Sequence, residues 1–139
     1  MTNVPLVTRK LAIMDDHLRR LAERRLDAFK KDTVLQDAIA MGVLVIVQEA
    51  MDVAFHIASD EGWELAGTYR EAFAVLATHG VIDAPLAASL AGMAQLRNRI
   101  AHGYASVDVE RLWTELPAGM AAGRGFVAAV SGFLASSSP

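Results

Sequence analysis

The chain has 139 residues, enough for one domain with a real core and short for two. Hydrophobic residues make up 53% of it and charged residues 21%, with four prolines, which excludes a disordered or fibrous chain. It has no cysteine, so disulfides, thiolate–zinc sites and thiol nucleophiles are excluded, and a net charge of −3 argues against a broad nucleic-acid-binding surface.

Met1 to Pro5 leads into a charged helical pattern rather than an apolar signal-peptide segment, so a cytosolic protein is expected. Apolar residues recur at helical spacing in every long segment and nowhere alternate with period two, which predicts an all-α domain of four to five helices. The first helix is expected from about Leu6 to Phe29, with Leu11, Met14, Leu18, Leu21 and Leu26 on one face. Residues 1–31 carry eight basic and four acidic side chains, a net of +4 that leaves −7 for the remainder. That basic segment is read as a solvated face with i,i+4 pairs, or as a contact for RNA or an acidic partner.

Asp32 or Thr33 is placed to cap a second helix that runs to about Ser59 and ends at Asp60-Glu61-Gly62. Its stretch Ala38 to Val47 is ten residues, apolar all the way round, bounded by Asp37 and Gln48. This is short of the ~20 residues that span a bilayer, and no membrane partner is expected. A helix of this kind is covered on two sides. The second cover is either another subunit in a C2 homodimer or the chain's own bundle.

A third helix, from Leu65 or Tyr69 to His79, stops at Gly80. Asp83, then Ala84-Pro85, starts a fourth helix that runs to about Ala101, with Leu86, Leu90, Met93 and Leu96 or Arg97 inward and Gly103 at its end. The last segment begins near Asp108 with Val109-Glu110, and Leu112, Trp113 and Leu116 then meet Pro117. With Gly119, Gly123 and Gly125 following, a kink or break is expected before Phe126 to Leu134. One domain over residues 1–135 and a frayed tail over 136–139 complete the reading.

The stretch Leu96-Arg97-Asn98-Arg99-Ile100-Ala101-His102-Gly103-Tyr104 gathers a permanent cation, an imidazole and a phenol at the exit of the fourth helix. Arginine holds phosphate through paired hydrogen bonds, and histidine moves protons near neutral pH. Those two groups suffice for a metal-free ribonuclease, with His102 as base or acid and Arg97 on the scissile phosphate. Neither a cofactor nor a metal is expected. Asn98 and His102 are i,i+4 neighbours, so Asn98 is placed to fix the tautomer of His102. Arg97 and His102 lie about 140° apart on a regular helix and do not share a face. They meet only if the arginine wraps round the helix end or a two-fold axis brings Arg97 of one subunit to His102 of the other.

The plainer readings stand beside these. Arg97 and His102 also stabilise the negative end of a helix dipole, Arg99 serves that role or touches RNA, and Tyr104 is by default an ordinary core or surface aromatic. Glu49, Asp52 and His56 share a stripe of the second helix. They form a buried polar cluster facing the cleft, or a metal site if further ligands come from elsewhere.

The spacing from Arg97 to His102 and Tyr104 resembles the Arg-x4-His-x-Tyr signature of HepT-like toxins of the HEPN superfamily. Val34-Leu35-Gln36-Asp37-Ala38, Met51-Asp52-Val53-Ala54-Phe55-His56-Ile57, Phe73-Ala74-Val75-Leu76 and Tyr104-Ala105-Ser106-Val107-Asp108 extend the resemblance over roughly residues 9 to 116. The resemblance implies a HEPN-type bundle and a homodimeric, metal-independent endoribonuclease toxin acting on RNA and leaving a 2′,3′-cyclic phosphate. Arg97 and His102 would be catalytic. It also implies an MNT-type nucleotidyltransferase antitoxin that silences the toxin by AMPylation of Tyr104. The competing readings are a non-catalytic HEPN-like binding subunit of a nucleotidyltransferase and a plain helical dimer.

Overall fold

Apolar side chains repeating every three or four residues leave water only by packing helix on helix. The computed structural model describes residues 1–22, 26–64, 67–103 and 108–137. Among them are six helices: α1 (Val4–Ala22), α2 (Leu26–Lys31), α3 (Thr33–Asp60), α4 (Tyr69–Thr78), α5 (Ala84–Gly103) and α6 (Val109–Ser137). Helices α1 and α2 cover the span expected as one helix, and residues 23–25 between them lie outside the described residues.

The capping residues read from the sequence do set the boundaries. Asp32 accepts hydrogen bonds from the amides of Val34 (2.9 Å) and Leu35 (3.2 Å), two of the donors that the first turn of α3 leaves unpaired. Asp83 does the same for Leu86 (2.8 Å) at the start of α5. Gly62 and Gly80 adopt φ of +70° and +77°, a left-handed conformation that lets the chain turn out of α3 and α4.

Helix α3 is the axis of the bundle and touches all five other helices. Ile39, Val43, Ile46, Val47, Met51, Val53 and Ile57 are buried on it. The all-round apolar stretch therefore has its covers largely within its own chain. One strip is left open: Val34 is 75% and Met41 58% exposed, Ala38 is exposed, and Leu44 and Val45 are half-buried. By length and composition α3 and α6 could each cross a bilayer, but in this fold α3 is the core helix. Helix α1 lies along α3 through Val7, Leu11, Met14, Leu18 and Leu21. Its start is tied to the end of α3 where the Met1 amino group donates to the Asp60 carbonyl (2.7 Å) and Thr2 Oγ1 to Glu61 Oε1 (2.7 Å).

The break expected at Pro117 does not occur, and α6 is one helix from Val109 to Ser137, reaching into the stretch expected to fray. Proline inside a helix costs about 3 kcal/mol. Leu112, Leu116, Ala122, Phe126, Val130 and Leu134 are buried along one continuous stripe, and each large one contributes about 1.5–3 kcal/mol. Breaking the helix would expose half of that stripe, so burial wins. One of its glycines, Gly123, is there for close packing. A Cβ at Gly123 would lie 3.0 Å from Leu18 Cδ2 and 3.5 Å from Ile46 Cγ2.

Candidate functional site

Helix α5 carries the motif, and its buried residues decide where the polar ones point. Leu90, Met93, Leu96 and Ile100 are fixed in the core. Residues advance about 100° per step, so this stripe turns Arg97 to one side, toward α3, and Arg99 and His102 to the other, toward α6. Arg97 and His102 consequently line two different grooves of the chain.

The first groove, about 260 Å3, lies between α3 and α5 and is lined by Leu44, Val45, Gln48, Glu49, Arg97 and Ala101. The half-buried Arg97 donates from Nη2 to Gln48 Oε1 (3.2 Å) and from Nη1 to Asn98 Oδ1 (3.2 Å). Gln48 in turn donates from Nε2 to Asp52 Oδ1 (3.0 Å). A carboxylate only accepts, so Asp52 takes the amide nitrogen and leaves the amide oxygen to face the guanidinium. Lys10 closes the chain, with Nζ 3.4 Å from Asp52 Oδ2 and 3.2 Å from Glu49 Oε2. Burial lowers the Lys10 pKa, but the hydrogen bonds and charges of Glu49 and Asp52 together hold it above the usual lysine value.

Glu49 and Asp52 thus belong to a polar cluster joined to the motif arginine, but one that is only partly buried, not the buried cluster expected. Among the described residues no three His, Asp or Glu side chains converge as a metal site would require. Gln48 was not singled out from the sequence. Its i,i+4 spacing to Asp52 was the available signal.

The second groove, about 380 Å3, is open to solvent between the end of α5 and the start of α6. Leu96, Arg99, His102, Gly103, Asp108, Arg111, Leu112 and Glu115 line it. His102 is exposed, and Arg99 is its i,i+3 neighbour on the same helix face. Arg99 Nη2 lies 2.6 Å from Glu115 Oε2, and Arg111 Nε lies 3.0 Å from the other oxygen, Oε1. Asp108 caps α6, accepting from the amides of Glu110 (3.0 Å) and Arg111 (3.2 Å).

Two expectations are corrected here. The Arg97 side chain does not wrap round the helix end toward His102; it is held on α3. Asn98 accepts from Arg97 through Oδ1 (3.2 Å), and among the described residues no hydrogen bond joins it to His102. Tyr104 lies outside the described residues. On the basic first segment, Arg19 and Arg20 pair with Asp15 and Asp16 and Lys30 with Glu110. Arg19 and Arg20 form the i,i+4 pairs of the plainer reading, and Arg24 and Arg25 lie outside the described residues.

Residues 14–127 match the family described as Ribonuclease HepT-like. A protein of Shewanella oneidensis named mRNA nuclease HepT is 26% identical over 107 residues, covering 76% of this chain and 80% of that protein. The fold is also that of a tri-AMPylated Shewanella oneidensis HEPN toxin solved in complex with an MNT antitoxin, with a TM-score of 0.84 and 22% identity over 95% of this chain and 99% of that one. A cytosolic Bacillus subtilis protein of unknown function, YutE, superposes with a TM-score of 0.87 at 14% identity, covering 97% of this chain and 92% of that one.

Proposed function

The chain belongs to the HepT-like ribonuclease family, and from that premise we propose that it is a metal-independent endoribonuclease, the toxin of a toxin–antitoxin pair acting in the cytosol. The observation that carries the reading is an exposed imidazole, His102, at an open cleft whose wall holds two guanidiniums, with a third, Arg97, fixed in the adjoining groove. His102 takes the proton of a ribose 2′-hydroxyl, the 2′-oxygen attacks the adjacent phosphorus, and the 5′-oxygen leaves with a proton from solvent or an imidazolium. The products are a 2′,3′-cyclic phosphate and a free 5′-hydroxyl. Arg97 binds the non-bridging oxygens, on which charge accumulates in the transition state.

Arg97 and His102 line separate grooves of one chain, and a homodimer brings them together. Val34, Ala38, Met41 and Val45 follow one another at i, i+4, i+7 and i+11 along the uncovered strip of α3, which runs into the Arg97 groove. A second copy seated on this strip buries it and sets Arg97 of one protomer facing the partner's His102. Silencing belongs to the same reading. An MNT-type nucleotidyltransferase antitoxin adds AMP to Tyr104, two residues beyond His102, and each AMP places a negative charge and a bulky base where RNA phosphate must sit. The AMPylated state of the Shewanella HEPN toxin in its MNT complex supports this reading.

The test is cleavage of total RNA with and without chelator by wild type and His102→Ala. Wild type should cut equally in both conditions and leave cyclic phosphate ends, and His102→Ala should be folded and inactive. Cleavage by His102→Ala at the wild-type rate would remove the catalytic assignment and leave a binding subunit. After co-expression with the nucleotidyltransferase, the peptide holding Tyr104 should gain AMP mass, and an unmodified peptide would refute the silencing.

A further inference from the structure

Arg99 and Arg111 come from different helices and converge on one carboxylate beside His102. We propose that this pair is a phosphate-binding clamp for single-stranded RNA, gripping the phosphodiester next to the one that is cut. The inference rests on the nuclease reading for its substrate, and on the cleft alone for its chemistry.

Two guanidiniums repel unless an anion lies between them. Glu115 supplies that anion and pulls one guanidinium onto each of its oxygens, an arrangement equally suited to the two non-bridging oxygens of a phosphate. The triad keeps one net positive charge. Each guanidinium has five N–H donors, and the contacts to Glu115 use one apiece, so among the described residues most of the donors stay available to a second oxyanion. The pair opens to solvent, the Arg99 side chain being 39% and Arg111 58% exposed. The acid that remains in the cleft, Asp108, turns Oδ1 onto the first amides of α6, whose positive helix end offsets its charge.

A plain tie between α5 and α6 is the alternative role for these residues. Leu96, Leu112 and Leu116 already join the two helices in the core, and an exposed ion pair adds little to such packing. What the pair does add is directed charge, one helical turn from the imidazole. Arg97 is thereby kept for the scissile phosphate, and the clamp sets the register of the strand, so that the 2′-hydroxyl presented to His102 is that of the clamped neighbour.

The test uses the full chain and a short oligonucleotide with 2′-O-methyl riboses, which binds and is not cut, read by fluorescence anisotropy across a salt series. Arg99→Ala and Arg111→Ala should each weaken binding by about tenfold and lower the slope of log affinity against log salt by about 0.7, the value for one single-strand phosphate contact. Arg111→Lys, which keeps the charge, should restore the slope. Each alanine variant leaves Glu115 one guanidinium, so the fold is retained. On cleavable RNA the loss should fall mainly on KM. Wild-type affinity and slope in both alanine variants would overturn the clamp. Wild type that binds the methylated strand with the expected slopes but does not cut ribose RNA would sink the nuclease reading and uphold the clamp.

Discussion

Replacing Gln48 with leucine keeps the volume of the side chain and removes both of its hydrogen bonds, to Arg97 and to Asp52. Asp52 retains Lys10 at 3.4 Å and Arg97 retains Asn98 at 3.2 Å, so neither charge is stranded and the fold should survive. A hydrogen bond to a charged group is worth about 1.5–3 kcal/mol net. Water reaches the half-buried Arg97, which puts the loss at the low end of that range. At about 1.4 kcal/mol per decade, kcat/KM should fall by roughly tenfold, provided the bond holds the guanidinium in the position used in the transition state. Initial rates on a defined RNA, with a thermal melt of the same sample, measure this. If Gln48→Leu keeps kcat/KM within about twofold of wild type while His102→Ala is inactive, Gln48 does not orient Arg97, and the relay from Lys10 is only structural.

Three further outcomes follow from the same contacts. Met41→Glu changes a side chain that is 58% exposed, so folding should move by under about 0.5 kcal/mol, yet a charge on the open strip should turn a dimer into a monomer by sedimentation and depress cleavage; an unchanged mass would show that the strip is not the interface. Gly123→Val drives a branched side chain into Leu18 and Ile46 and should cost about 1–3 kcal/mol in chemical unfolding, whereas an unchanged midpoint would mean that α6 is free to shift. The Lys10 pKa is raised on folding, so its ion pairs stabilise fully below the usual lysine value of about 10.4 and are lost as pH climbs through the higher folded value. The stability gap between wild type and Lys10→Met should be flat from neutral pH to that point and narrow above it, and a gap that persists at higher pH would contradict the assignment.

Local chemistry was legible in the sequence where it is decided locally. Asp32, Asp83 and Gly80 mark helix ends because the groups they satisfy are within a turn of them. Pro117 and the glycines of α6 misled for the complementary reason. Their local preference is to interrupt a helix, and the buried stripe from Leu112 to Leu134 that overrides it belongs to the tertiary structure. The motif shows the same division. The angular separation of Arg97 and His102 followed from helix geometry alone. Gln48, 49 residues from Arg97, and Glu115, 16 residues from Arg99, came into view only once the helices were packed.

Mixing two inactive variants tests the shared site most directly. Arg97→Ala and His102→Ala should each be inactive alone; after subunit exchange, half of the dimers carry both variants, and each of these has one intact pairing of Arg97 from one chain with His102 from the other. About a quarter of the wild-type rate should return, as random assortment in a two-fold dimer requires. A mixture as inactive as its parents would show that no site is assembled from two chains.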